Sequence, residues 1–226
     1  MERLGDLVKV WGDYELRSID QPEVQLSETE QGFLATELQS VATNGFGRVV
    51  IAESIRSHAF SNQDRLLLVT LGTEIVGFAS LQNYAELQIT FLTGVVFSRK
   101  HQGKGLGCRI TRELSQSSPF STFALTTQNP HVYAIVTQIC HMVYPSIEEV
   151  TIPNAVKRAG VRIMKGREGV FDVDTFAIKD YYDKCCYPAL PWSSNPVING
   201  MFRTKLRVNA DNKTRDGFLV MGTNLQ

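Results

Sequence analysis

A mixed α/β (α+β) chain around one central sheet is the fold class these residues predict, and three observations predict it. Two apolar runs, Arg65–Leu71 and Ile75–Leu81, flank Gly72-Thr73-Glu74 and read as a β-hairpin. A third run, Leu87 to Phe97, leads through a glycine-rich loop into a helical stripe of Leu106, Ile110 and Leu114. Around these, helices and strands follow one another without a repeat of fixed period, so they are expected to share one core.

In chain order, Tyr14–Ile19 alternates as a first strand, and Pro22 ends it. Ser27 with Glu30 three residues on forms a capping box, and Phe33, Leu34, Leu38 and Val41 continue at helical spacing until Asn44-Gly45 stops the run. A shorter helix is expected over Val49–His58. Gly94, inside the third apolar run, marks a bulge or a close backbone approach. A helix then covers about Lys104 to Gln116, and Phe120–Thr127 is a strand. Asn129-Pro130 caps the next helix, which carries Val132, Ile135, Val136, Ile139 and Val143 as far as Pro145 and places Cys140-His141 on it. Farther on, a helix is expected over Asn154–Met164, a strand over Val173–Tyr181, a helix from Asn195-Pro196 and a strand at Phe218–Met221. Pro188–Asn195 and Asn209–Gly217 read as loops.

Composition limits the function classes. Hydrophobic residues make up 43% and charged residues 20%, which is globular usage. Lys plus Arg equals Asp plus Glu at 23 each, so the zero net charge disfavours nucleic acid as a partner. Charges at Glu2, Arg3, Asp6 and Lys9 argue against a leader, and no apolar run reaches the ~20 residues of a membrane span; the expectation is a cytoplasmic protein off the membrane. Cys108, Cys140, Cys185 and Cys186 form no CxxC pair, and with four scattered histidines they lack metal-ligand spacing, so no metal site is expected. Cys185 and Cys186 are expected to be buried, inert thiols.

The chemistry concentrates in Gln102-Gly103-Lys104-Gly105-Leu106-Gly107. Three glycines at alternate positions open a helix, whose first-turn amides lack intrahelical partners and sit at the positive end of its dipole. Such amides suit a diphosphate, and Lys104 adds a cation. No Gly-Lys-Ser/Thr is present, so the loop is not a P-loop. The third glycine comes one residue early for a dinucleotide fingerprint, and Ser98–His101 separate the loop from its strand.

Val95 through Gly107, with Gln102, Gly105 and Gly107 matching Arg/Gln-x-x-Gly-x-Gly/Ala, resembles the acyl-CoA motif of the GCN5-related N-acetyltransferase (GNAT) superfamily; Ile75–Ala79 is similar to that family's third strand. The resemblance runs from about Arg65 to Tyr144. It implies a GNAT-like single domain over 1–226, with an extended C-terminal region from about 165. It also implies a mixed central sheet flanked by helices and splayed between the family's strands 4 and 5. Backbone of Val95, Val96 and Phe97 would then meet the pantetheine arm, with Gly94 opening the gap. The diphosphate would lie on the amides of Gln102, Gly103, Lys104, Gly105, Leu106, Gly107 and Cys108, Arg109 and Arg112 would face the remaining phosphate or else stand as solvent-facing basic residues of the helix, and Asn129 would contact pantetheine.

The implied reaction is acetyl transfer from acetyl-CoA to a primary amine, by direct attack on the thioester. The amine must lose a proton from a pKa near ~10.4, and the leaving thiolate must gain one. Tyr133, on the helix after the fifth strand, is the candidate acid, although the family tyrosine stands where this chain has Val136; its alternative is packing with the hydroxyl at the surface. Glu86, expected at the start of the strand before the loop, is the candidate base, with a solvated strand end as its alternative. His131 has nothing to fix its direction. The acceptor, a small molecule or a protein, is not identified, and Asp172, Asp174, Asp180 and Asp183 are a possible attraction for a cationic one. A non-catalytic acyl-CoA-binding sensor or scaffold is the alternative function.

Overall fold

The computed structural model describes residues 4–148 and 150–225. It has a mixed α/β architecture in which helices flank an open sheet. In order come β1 (Asp6–Trp11), β2 (Tyr14–Asp20), α1 (Pro22–Gln25), α2 (Glu28–Phe46), α3 (Ala52–Ala59), β3 (Arg65–Leu71), β4 (Glu74–Tyr84) and β5 (Ile89–Phe97). After them come α4 (Leu106–Ser117), β6 (Thr122–Thr127), α5 (Pro130–Ile139), β7 (Cys140–Tyr144) and α6 (Asn154–Met164). The remainder is β8 (Val170–Phe171), β9 (Ala177–Lys179), α7 (Pro196–Lys205) and β10 (Gly217–Leu225). The described residues form two compact units: one runs up to Asn83 and resumes over Phe91–Ile110, while the other takes Tyr84–Thr90 and the chain from Thr111 onward.

In the first unit, β1 to β4 form a meander of antiparallel neighbours, and β5 lies beside β4. The hairpin expected from Gly72 is present, with Leu71 opposite Glu74. β1 was not expected; the chain turns at Gly12, whose φ of 66° suits glycine, and Trp11 pairs with Tyr14. The Ser27 capping box holds, with the Ser27 amide donating to Glu30 Oε2 at 2.8 Å and the Glu30 amide to Ser27 Oγ at 3.3 Å. Leu34, Leu38 and Val41 of α2 join Leu66, Leu68 and Phe78 of the sheet in one apolar core.

Asn44-Gly45 does not end α2. The helix continues to Phe46 and stops at Gly47, a left-handed C-cap with φ 66°. Gly45 is small for a different reason: a β-carbon there would lie 2.5 Å from the Phe97 carbonyl oxygen. Gly77 likewise leaves room for the Phe97 ring, which a β-carbon would overlap. The end of β5 is therefore wedged between a helix and a strand by two glycines.

In the second unit, β10 is paired on both edges. Phe218–Thr223 run antiparallel to Thr127–Thr122 of β6, while Gly217 and Phe218 face β9 and Met221–Leu225 face β7. The long helix expected from Asn129 to Pro145 is two elements. α5 ends at Ile139, and Cys140-His141 begin a strand because β10 offers an edge that the local apolar pattern cannot reveal. A close approach reinforces the pairing: a β-carbon on Gly222 would overlap the Cys140 sulfur. The strand expected over Val173–Tyr181 is reduced to β9, with β8 as its partner. Asn129 and Asn195 cap α5 and α7 as expected, their Oδ1 atoms accepting the His131 and Val197 amides at 2.9 Å each.

Candidate cofactor site

The glycine loop lies within the first unit. β5 ends at Phe97, a short 3-10 turn covers Arg99–His101, and α4 begins at Leu106. Gly103 and Gly105 have φ of 73° and 75°, the left-handed region that disfavours other residues. A β-carbon at either would meet no atom within 4 Å, so glycine is required there for backbone conformation and not for packing. Residues 102–105 are exposed.

α2 anchors the segment that enters the loop. Asn44 Oδ1 accepts the Arg99 amide at 2.6 Å, and Gln102 Nε2 donates to the carbonyls of Gly45 at 3.0 Å and Phe97 at 2.8 Å. Gln102 is therefore a strut: its side chain ties loop to helix, and its own amide donates to the Arg99 carbonyl at 3.2 Å. The Phe97 carbonyl is occupied by the same strut. From Gly103 the pattern changes. Among the described residues, the amides of Gly103, Lys104, Gly105, Leu106 and Cys108 have no acceptor, and the first bond of the new helix runs from the Arg109 amide to the Gly105 carbonyl. Unpartnered amides where a loop enters a helix are suited to an anion.

Val95 is half-buried, Val96 and Phe97 are buried, and nothing lies within 4 Å of a β-carbon built on Gly94. The strand glycine thus faces open space instead of a close backbone neighbour. Arg109 and Arg112 lie on α4, and both are exposed.

Beside the loop stands a pair that sequence spacing gives no means of finding. Tyr14, at the start of β2, places its hydroxyl 3.0 Å from His101 Nδ1 and 3.4 Å from Lys104 Nζ. The Tyr14 and His101 rings meet edge to face with centroids 5.7 Å apart. Burial, then Lys104 and Lys100, push the His101 pKa down, opposed by Glu74, so the imidazole is neutral near pH 7. Glu74 itself pairs with Lys100 at 2.7 Å.

The other candidates belong to the second unit. Tyr133 is fully buried, with its hydroxyl donating to the Pro145 carbonyl at 2.6 Å, and burial pushes its pKa well above the ordinary phenol value. The hydroxyl is therefore not at the surface, where a simple packing role would put it. Phe202 lies edge to face against the Tyr133 ring, so this phenol joins α5 to the turn before α6 and to α7. Glu86 is exposed in a 3-10 turn at Ala85–Leu87, not at a strand start, because β5 begins only at Ile89. Asn129 uses both ends of its amide: Oδ1 caps α5, and Nδ2 donates to the Tyr187 hydroxyl at 3.1 Å. Burial raises the Tyr187 pKa to about 12. His131 is exposed.

Cys185 and Cys186 are half-buried, not buried; the Cys186 amide donates to Gln128 Oε1 at 2.6 Å, which holds the backbone against the end of β6. The acidic series is mostly engaged within the fold. Asp172 accepts the amides of Asp174 and Thr175, Asp174 pairs with Lys157, and Asp180 pairs with Arg207. Among the described residues no group of three or more His, Cys, Asp or Glu is placed to hold a metal ion, and no helix is long and apolar enough to cross a membrane.

Comparison with known proteins agrees with the loop motif. Residues 34–134 match the model of the Acetyltransferase (GNAT) family, from α2 into α5. No curated sequence matches the chain. Among solved structures, the chain is similar to the ribosomal-protein-S18-alanine N-acetyltransferase from Escherichia coli, at 11% identity over 93% of this chain and 95% of that one, with a TM-score of 0.46. It is also similar to GCN5 of Tetrahymena, at 12% identity over 72% and 92%, TM-score 0.47. A GNAT family acetyltransferase from Elizabethkingia anophelis with acetyl-CoA bound gives 11% identity over 92% and 97%, TM-score 0.43.

Proposed function

From the match of residues 34–134 to the GNAT family model, we propose that the chain is an acyl-CoA-dependent N-acyltransferase that moves acetyl from acetyl-CoA to a primary amine. The observation that carries this reading is the run of unpartnered amides from Gly103 to Leu106, with Cys108, where the exposed loop 102–105 enters α4. A diphosphate accepting from them would replace the water they otherwise bind, and the helix dipole and Lys104 would favour its charge. Gln102 serves the same site by holding the loop in register against α2. Val95 and Val96 supply the strand backbone proposed for the pantetheine arm.

In the proposed reaction the amine nitrogen attacks the thioester carbonyl, the C–N bond forms, and the C–S bond breaks as the tetrahedral intermediate collapses. The proton lost by the amine goes to a base or to solvent, and the coenzyme thiolate takes one up. Glu86, exposed in its 3-10 turn, is the base proposed for the first transfer. Tyr133 is a poorer acid than its sequence position implies, since its proton is already donated to the Pro145 carbonyl.

That same geometry favours a second reading, a non-catalytic acyl-CoA sensor that keeps the loop without a poised acid. Incubation with acetyl-CoA and a panel of amines, following free thiol, separates the two. Continuous thiol release with any acceptor is expected for the enzyme. Coenzyme A binding measured by calorimetry with no release across the panel would turn the conclusion to the sensor, and absence of binding would remove both.

A further inference from the structure

Lys104 carries the side-chain cation of the glycine loop, and among the described residues no carboxylate holds its ammonium. Its neighbour is the Tyr14 hydroxyl, 90 residues earlier in the chain at 3.4 Å. An ammonium has hydrogens to donate and no lone pair, so in this contact the tyrosine oxygen accepts. The tyrosine hydrogen is then available to His101 Nδ1 at 3.0 Å, which the neutral imidazole presents as an acceptor. With the ring hydrogen on Nε2, donation runs Lys104 to Tyr14 to His101. His101 is 3% exposed and its Nε2 has no partner among the described residues, so the ring gains no hydrogen bond by turning over and stays as the fixed end of the relay. The charged groups acting on it are Lys104 and Lys100, against Glu74.

A free lysine samples many rotamers and loses that freedom when it meets an anion. A hydroxyl that already holds the ammonium lowers this ordering cost. We propose that Tyr14 is a positioning residue for anion recognition, holding the Lys104 ammonium beside the free loop amides through a hydrogen-bond relay anchored on buried His101. This rests on the reading that the loop receives the coenzyme's diphosphate.

The test is a double-mutant cycle in the full chain, with coenzyme A as the titrant. Tyr14→Phe keeps the ring that packs edge to face on His101 and removes only the oxygen. It is expected to weaken coenzyme A about 3- to 5-fold, the size of one exposed charge-assisted hydrogen bond. Lys104→Met is expected to weaken it about 10-fold, and the double variant no further than Lys104→Met alone. In steady state Tyr14→Phe should raise KM for acetyl-CoA while kcat holds. S-acetylpantetheine, which lacks the diphosphate, should be used equally well by wild type and Tyr14→Phe; a merely structural tyrosine would harm both donors. Wild-type affinity in Tyr14→Phe, or additive losses in the cycle, overturns the inference while leaving the functional reading intact. If Lys104→Met and Gly105→Asp both bind coenzyme A normally, the functional reading itself falls.

Discussion

The glycine loop and the surroundings of Asp216 treat their polar groups in opposite ways. In the loop, the main-chain donors of Gly103, Lys104, Gly105, Leu106 and Cys108 have no acceptor among the described residues. Around Asp216 a carboxylate is matched on every side: Arg207 donates from Nε at 2.8 Å, from its second guanidinium nitrogen and from its amide at 2.9 Å, and the Asp180 amide adds a bond at 3.0 Å. The Asp216 side chain is 3% exposed, whereas loop residues 102–105 are exposed. Desolvation alone would raise the Asp216 pKa, but the four donors overcome it and hold the carboxyl down at about 2. A satisfied, buried acceptor stabilises the fold and has nothing left for a ligand. A run of unmet donors contributes little to the fold and remains available to an acceptor.

The contrast can be broken experimentally, the largest effect first. Gly105→Asp sets a negative side chain into the amide cradle and forces a left-handed φ on a residue with a β-carbon. Coenzyme A affinity is expected to fall on the order of 100-fold or more, with the far-UV spectrum unchanged because the position packs against nothing. Retained affinity would refute the cradle.

Asp216→Asn should do the reverse, leaving coenzyme A affinity alone and lowering unfolding free energy by about 3 kcal/mol, because Arg207 loses its buried partner. The pH dependence sharpens this. A carboxyl held at about 2, against an ordinary 3.8, adds stability that is present above about pH 4 and disappears as pH falls through 2. It amounts to about 2 kcal/mol across that interval. Denaturant titrations between pH 5 and pH 2 should therefore show a steeper loss in wild type than in Asp216→Asn. Parallel slopes would mean that the network is not what depresses the carboxyl.

Tyr133→Phe ranks last. It leaves the buried Pro145 carbonyl without its donor, which should cost about 1.5 kcal/mol of stability while turnover changes by less than about 3-fold. A loss of turnover on the order of 100-fold, with stability unchanged, would restore Tyr133 as the acid.

Legibility in the sequence follows the range of each interaction. The Ser27 capping box, the hairpin at Gly72 and the α6 limits Asn154–Met164 are all readable, because the residues that make each element lie within a few positions of one another. The glycine loop is readable for the same reason: the left-handed φ of Gly103 and Gly105 and the helix start at Leu106 are local facts. Cys140–Tyr144 reads as helix from its sequence because its apolar residues fit either period, and the deciding partner, β10, lies about 80 residues on.

By itself, then, the sequence determined that a glycine-rich turn opens a helix after a strand, and that the elements around it alternate as an α/β chain. Tertiary structure alone decided which groups meet that turn. Gln102 is drawn to the Gly45 carbonyl, Tyr14 to Lys104 and His101, and Tyr133 into the interior on Pro145. Local conformation is set by the φ/ψ and hydrogen-bonding preferences of neighbours in the chain. Burial and partner choice depend on which distant segment fills the remaining space, a property that no window of consecutive residues contains.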